Sequence, residues 1–234
     1  MADDADAKKG FAWFMAASRE ATGAWAERRR LAAAMRRVIE LLVTSDAPED
    51  ELRTATAALE RYANQLASHP RRKLPAGFHE VANAGDVSAF FDMSPLIGLS
   101  NPMSPPITLS VVEGRVRGSA RFGAAYEGPP GHVHGGFVAA AFDEVLGYAQ
   151  SLSGNPGMTG TLTIRYRRPT PLHTELRFDA GVDRIEGRKI FAKGQLFAGD
   201  VLTAEAEGIF ISVDLTRLRA LSGTAGEGGD ASGA

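Results

Sequence analysis

The chain contains no cysteine. Disulfides, thiolate metal sites and a cysteine nucleophile are thereby excluded. That absence is compatible with the reducing cytoplasm, which is the expected location. There is no surplus of either charge: 26 basic residues against 28 acidic ones leave a net charge of −2. Nonspecific nucleic-acid binding draws on a basic surplus, so no nucleic-acid partner is expected. Nor is there a run near the roughly 20 apolar residues that a bilayer span needs. The best N-terminal candidate, residues 11–17, follows Asp3, Asp4 and Asp6 as well as Lys8 and Lys9. With no small-residue cleavage site behind it, this stretch reads as the start of an amphipathic helix and not as a signal peptide.

What is present suits a globular protein. Hydrophobic residues make up 44% and charged residues 23% of 234 positions, enough for one or two domains with a real core. In the first third, Leu31, Met35, Val38 and Leu42 recur at the spacing of one helix face. Asp46-Ala47-Pro48-Glu49 then forms a helix start signal, and Leu52, Ala55, Leu59, Tyr62 and Leu66 make a second stripe. Two stripes joined by a short polar turn predict an antiparallel helical hairpin over about 24–68. It is expected to be structural, packing on its own domain, on a partner subunit, or on both. The basic, Pro-flanked stretch His69-Pro70-Arg71-Arg72-Lys73-Leu74-Pro75 marks the boundary, so residues 1–75 form an N-terminal helical region and 76–215 a second domain. Residues 216–234, rich in Gly, Ala, Ser and acids, read as a disordered tail.

After the boundary the pattern changes. Residues 87–96 suggest a short helix. Residues 107–112 and 115–122 alternate on either side of Glu113-Gly114 and predict a hairpin. Residues 137–152 are apolar nearly all round, which marks a buried helix. Strands follow at about 158–166, 175–185, 190–197 and 202–213, with Glu186-Gly187-Arg188 and Gly199-Asp200 at turns. The fold class is therefore α+β: an antiparallel sheet wrapped around one central helix, preceded by the helical hairpin.

The chemistry is expected where the loop Glu127-Gly128-Pro129-Pro130-Gly131-His132-Val133-His134-Gly135-Gly136 enters the buried helix. Glycines at a helix start let the backbone approach a ligand, and the unpaired N–H groups there attract negative charge. Asp143 follows His134 by nine residues, two and a half turns into an apolar helix. A carboxylate at that depth is paired, solvated by a cleft, or functional. Glu144 beside it leaves open that both simply face water. No His, Asp and Glu cluster has metal-ligand spacing, so no metal is expected. Ser151 and Ser153 lack the strand-turn-helix context of a nucleophile elbow.

His134-Gly135-Gly136, the apolar helix, Asp143, the segment Thr161-Leu162-Thr163-Ile164-Arg165-Tyr166-Arg167-Arg168-Pro169 and the turn Glu186-Gly187-Arg188-Lys189 together resemble the hotdog-fold acyl-CoA thioesterases of the PaaI type. The match is closest to the branch carrying E-G-x-P-G-x-V-H-G-G and covers about 76–213. The resemblance implies hydrolysis of an acyl-CoA thioester to free acid and CoA, a step of lipid metabolism. CoA enters as part of the substrate and no separate cofactor is implied. It assigns the oxyanion N–H to Gly135, with His134 shaping the hole, and makes Gly136 a substrate-binding residue. It makes Asp143 a general base or a nucleophile, and Thr159 the hydroxyl that orients water or the carboxylate. It places Arg165, Arg167, Glu186, Gly187, Arg188 and Lys189 in contact with CoA. It also implies a site formed between two subunits, hence a homodimer or a dimer of dimers. One departure stands out: where many PaaI-type members carry an Asn six residues before the histidine, this chain has Gly128.

Two other functions compete. A hotdog dehydratase favours a longer H-x-x-x-G pattern, whereas two glycines follow His134 at once. A non-catalytic acyl-CoA-binding or regulatory protein would be marked by a degenerate Asp position, and Asp143 is intact.

Overall fold

The structure is a computed structural model and describes residues 21–70, 91–154 and 157–212. Two helices come first, α1 (Gly23–Leu42) and α2 (Glu49–Ala67). Pro48 precedes α2 and Glu49, Asp50 and Glu51 occupy its first turn, where acidic side chains complement the helix dipole. A hairpin follows, β1 (Thr108–Val112) and β2 (Arg115–Ala120), then a 3-10 turn (Ala124–Tyr126) and the central helix α3 (Gly135–Ser151). Four more strands complete the body: β3 (Gly157–Tyr166), β4 (Leu176–Glu186), β5 (Lys189–Ala198) and β6 (Val201–Ser212). The boundaries lie within a few residues of those predicted. The short helix expected over 87–96 falls partly outside the described residues; its described part is mostly turns. The boundary near 75 and the tail also lie outside them.

All six strands form one antiparallel sheet in the order β1-β2-β4-β5-β6-β3. Its inner face carries Val116, Leu176, Phe178, Ala180, Ile190, Ala192, Leu196, Ala204 and Phe210, all buried, against Val138, Phe142, Val145, Leu146 and Ala149 of α3. Each large side chain buried there contributes about 1.5–3 kcal/mol. Phe142 and Phe178 meet edge to face at 5.6 Å, and Gly194 lets the helix come close, since a Cβ there would lie 3.1 Å from Leu146 Cδ2. This is the hotdog arrangement that the sequence predicts. The outer face mixes apolar side chains such as Phe191, Phe197 and Ile209 with ion pairs such as Arg115 Nε to Asp179 Oδ1 at 2.7 Å and Lys193 Nζ to Asp183 at 3.1 Å.

Both N-terminal helices form, but they do not dock by the predicted stripes. The face that α1 lays on the body carries Trp25, Arg29, Ala32, Arg36 and Glu40. Trp25 Nε1 and Arg29 Nε donate to the carboxylate of buried Asp92 at 2.7 and 2.8 Å, and Arg36 donates to the carbonyl of Asn101 at 2.9 Å. Met35, Val38 and Leu42 of α1, and Leu52, Leu59, Tyr62 and Leu66 of α2, stay exposed, and α2 buries none of its residues. The turns around 92–103 offer α1 the Asp92 carboxylate and the carbonyls of Leu99 and Asn101, so hydrogen bonds to these hold the docking face around buried Ala32.

Candidate active site

The loop ahead of α3 is closed on itself. Gly128 N donates to His132 O at 2.9 Å, Gly131 N to Glu127 Oε1 at 2.6 Å, and His134 N to Tyr126 O at 2.8 Å. It delivers His134 to the N-cap of α3 with extended backbone, and its Nδ1 accepts the Gly136 N–H at 3.0 Å. An accepting Nδ1 leaves the ring proton on Nε2. Phe137 N returns to the His134 carbonyl at 2.9 Å. Of the first three N–H groups of the helix, only that of Gly135 finds no acceptor among the described residues. Such an orphan donor at a helix start is suited to a developing oxyanion. Gly136, by contrast, spends its N–H on His134.

Tyr166, at the end of β3, closes the other side of this terminus. Its hydroxyl donates to the Gly135 carbonyl at 2.8 Å and its ring lies against the Gly135 Cα, where a Cβ would meet it at 3.4 Å. Alternation along β3 places it on the helix side, which marks it as a site residue that neither glycine nor charge signals in the sequence.

Asp143 projects from α3 toward β3 and is exposed. Thr159 Oγ1 donates to its Oδ1 at 2.8 Å. Simple alternation from Thr161 and Thr163 would turn Thr159 to the outer face. A bulge at Gly160 reverses the phase: Thr161 pairs with Ile209 but Thr159 pairs with buried Phe210 on the inner face. Glu144 does not share the solvent with Asp143. It is half-buried, and Ser94 Oγ donates to it at 3.3 Å. Burial pushes its carboxyl above the ordinary value, the neighbouring Asp143 charge adds to this, and the Ser94 hydrogen bond opposes it.

The basic residues separate into two groups. Arg165 and Arg167 lie beside Glu205 and Glu207 of β6 and pair with them, Arg167 to Glu205 at 2.5 Å and Arg165 to Glu207 at 3.4 Å. They stand at the end of β3 that carries Tyr166, and Arg165 is on the outer face. Glu186, Gly187, Arg188 and Lys189 form the β4–β5 turn at the opposite end, because Ile211 of β6 pairs with both Lys189 and Met158. There Arg188 donates to the Ser212 carbonyl at 3.0 Å. One chain therefore does not gather all the predicted CoA contacts at one place. His132 has a local role, its Nδ1 lying 2.8 Å from the Pro130 carbonyl, whereas His173 donates its N–H to Phe122 O at 2.8 Å and places its Nδ1 3.9 Å from Glu40 Oε1 of α1. Among the described residues no group of three His, Asp or Glu could hold a metal ion, and no helix is long and apolar enough to cross a membrane.

A crystal structure described as a thioesterase superfamily protein is 33% identical to this chain, with a TM-score of 0.70, and the match covers 79% of this chain and 94% of that one. The chain belongs to the thioesterase superfamily. Residues 130–205, from the loop before α3 into β6, match the family model of that description. Acyl-coenzyme A thioesterase THEM4 of Xenopus laevis is 38% identical over 93 residues, which is 39% of this chain and 42% of that protein. Acyl-coenzyme A thioesterase THEM5 of Homo sapiens is 33% identical over 95 residues, 40% of this chain and 38% of that protein. The chain spans about two fifths of the length of these curated relatives. The 79% match to the superfamily structure takes in more of the chain than residues 91–212 contain, so the likeness there extends beyond the hotdog body.

Proposed function

We propose that this superfamily member hydrolyses acyl-CoA thioesters to free acid and CoA, in a site shared by two copies of the chain. The observation that carries the reading is the pairing of an exposed, Thr159-oriented carboxylate at Asp143 with a Gly135 N–H that has no acceptor among the described residues. Thioester hydrolysis needs a group that activates the attack and a donor for the oxyanion. The names of the THEM4 and THEM5 relatives supply the substrate class.

Eight residues separate Gly135 from Asp143, so at 1.5 Å of rise per residue they stand about 12 Å apart along α3. Both must come within about 3 Å of one reacting carbonyl, which one chain does not allow. β3 is an edge strand, ten residues long, with a free edge that invites another strand. Antiparallel pairing of β3 with its copy brings the Thr159 end of one chain level with the Tyr166 end of the other. The Asp143 of one copy then faces the Gly135 of its partner. The Arg188–Lys189 turn of the first copy arrives at the same end, where its cations suit the phosphates of CoA. The ion-paired Arg165 and Arg167 are less available for that role.

In this arrangement the thioester carbonyl oxygen points at the Gly135 N–H. Asp143 either takes the proton of the attacking water or attacks the carbonyl itself to form an anhydride. Collapse of the tetrahedral intermediate expels the CoA thiolate. In the anhydride route a water then cleaves the anhydride and regenerates the carboxylate; attack on its Asp143 side leaves label in Asp143 after single turnover in oxygen-labelled water, which the general-base route never does. The reading itself is tested by thiol release from short, long and aryl acyl-CoAs. Turnover by the wild type and none by Asp143→Ala supports it. Binding without turnover by the wild type favours the acyl-CoA-binding reading.

A further inference from the structure

The N-terminal helix reaches the reacting end of the molecule through one side chain. Glu40, in the last turn of α1, accepts the N–H of Ala124 at 2.9 Å and that of Ala125 at 3.3 Å, one with each carboxylate oxygen. These are the first two N–H groups of the 3-10 turn, and a carboxylate satisfies them as a capping acid satisfies a helix start. The approach is close. A Cβ on Gly123 would lie 2.3 Å from Glu40 Oε2, so the chain carries glycine where the carboxylate enters.

From that turn the path to the site is short. Tyr126 closes the turn, its N–H donating to Gly123 O at 3.1 Å. Its carbonyl accepts the His134 N–H at 2.8 Å. Its ring packs on Phe122 at 5.4 Å and on Phe137 in the first turn of α3 at 4.9 Å, and its hydroxyl donates to Met103 O at 2.8 Å. The peptide that follows His134 is the one whose N–H is Gly135's. The backbone acceptor of His134 is thus one residue away from the amide that Glu40 holds.

We infer that Glu40 is a positioning residue for the Gly135 N–H: its carboxylate fixes the 3-10 turn that sets the His134–Gly135 peptide, so α1 serves the reaction as well as the fold. The inference rests on the reading of the chain as a thioesterase. Small displacements of an oxyanion donor are costly, because removing one altogether lowers turnover by about 10²–10³ and a misplacement near 1 Å can cost about 10².

The test compares Glu40→Ala and Glu40→Gln with Arg36→Ala in the full chain. Arg36 also anchors α1, but by hydrogen bonds to the carbonyls of Leu99 and Asn101; it bonds none of the N–H groups of the 3-10 turn, and only its charge faces the Tyr126 hydroxyl. Acyl-CoA turnover and amide exchange at Ala124, Ala125 and His134 are read together. Glu40→Ala is expected to lower kcat on the order of ten-fold with KM within about two-fold, and to speed exchange at those amides. Glu40→Gln keeps one acceptor oxygen and falls between; it carries the test if the alanine variant does not fold. Arg36→Ala keeps kcat within about two-fold. A Glu40 variant with wild-type kcat overturns the inference, as does an equal loss in Glu40→Ala and Arg36→Ala, which would mean that docking of α1 as a whole is what matters. A wild type that turns over no acyl-CoA refutes the functional reading. Exchange then decides for Glu40 alone: faster exchange at those three amides, absent in Arg36→Ala, supports its hold on the peptide, and unchanged exchange overturns it.

Discussion

The Thr159 hydroxyl donates to the Asp143 carboxylate at 2.8 Å, and it reaches that carboxylate because Gly160 breaks the alternation of β3. The bond fixes the rotation of the carboxylate and, in the proposed reaction, leaves Oδ2 of Asp143 to act. Thr159→Val keeps the shape and removes the donor, and is expected to lower kcat about ten-fold, below the 10²–10⁴ typical of losing a general base outright. Asp143→Ala and Asp143→Asn are expected to lose activity on that larger scale. Thiol release at saturating acyl-CoA measures all three, and a Thr159→Val variant at wild-type kcat contradicts the orienting role.

That bulge also marks how far the sequence alone carries. The apolar run of α3 and the alternation of β4, β5 and β6 are local patterns, and each predicts its element to within a few residues. His134, Gly135 and Asp143 stand out because glycines and an acid are unusual in and around a buried helix. Thr159 entered through a family resemblance. Its inward turn depends on pairing with Phe210, fifty-one residues on, which no local pattern encodes. The docking face of α1 was hidden for a related reason. Periodicity finds apolar stripes, whereas α1 is held by Trp25, Arg29, Arg36 and Glu40, whose acceptors and donors lie more than sixty residues away.

The hub of that docking is Asp92, whose side chain is 5% exposed and which accepts from Trp25, Arg29 and Ser100. Asp92→Ala leaves the guanidinium and the indole N–H without their acceptor. Removing one partner of a buried pair costs about 3–5 kcal/mol. Arg29 keeps some access to water, so the expected loss is near 3 kcal/mol, or about 6–12 °C in Tm at the scale of a domain of this size. Thermal unfolding checks the number, and limited proteolysis within α1 checks that the loss begins there.

Glu144 predicts a pH signature. Its carboxyl titrates above the ordinary value because burial disfavours the charge and Asp143 adds repulsion. Between the unfolded and folded values the native state holds more protons than the unfolded chain. Stability from this group is therefore full below the unfolded value and falls as pH rises through the folded one. Glu144→Gln, which never ionises, removes that fall. Relative to wild type, the Gln variant is expected to gain stability from about pH 4 toward neutrality, measured by denaturant midpoints across pH. A constant difference between the two proteins at every pH contradicts the assignment.

The proposed sharing of the site between two copies makes the sharpest demand. Gly135 occupies the first position of α3 and follows a residue with extended backbone. Proline is favoured at a first helical position and after an extended residue, so Gly135→Pro deletes the N–H with little cost to the fold. As homodimers, Gly135→Pro and Asp143→Ala are each expected to be nearly inactive. Mixed from the unfolded state in equal amounts, they form about half heterodimers by random pairing. In each heterodimer, the intact Gly135 of the Asp143→Ala chain faces the intact Asp143 of the Gly135→Pro chain, while the second site carries both lesions. One competent site in two, on half the dimers, restores about a quarter of wild-type activity. If instead each chain worked with its own Gly135 and Asp143, every site in the mixture would carry one lesion and the mixture would stay dead. Recovery near a quarter therefore establishes the exchange of residues between copies, and no recovery in a mixture whose heterodimers are verified by mass excludes it.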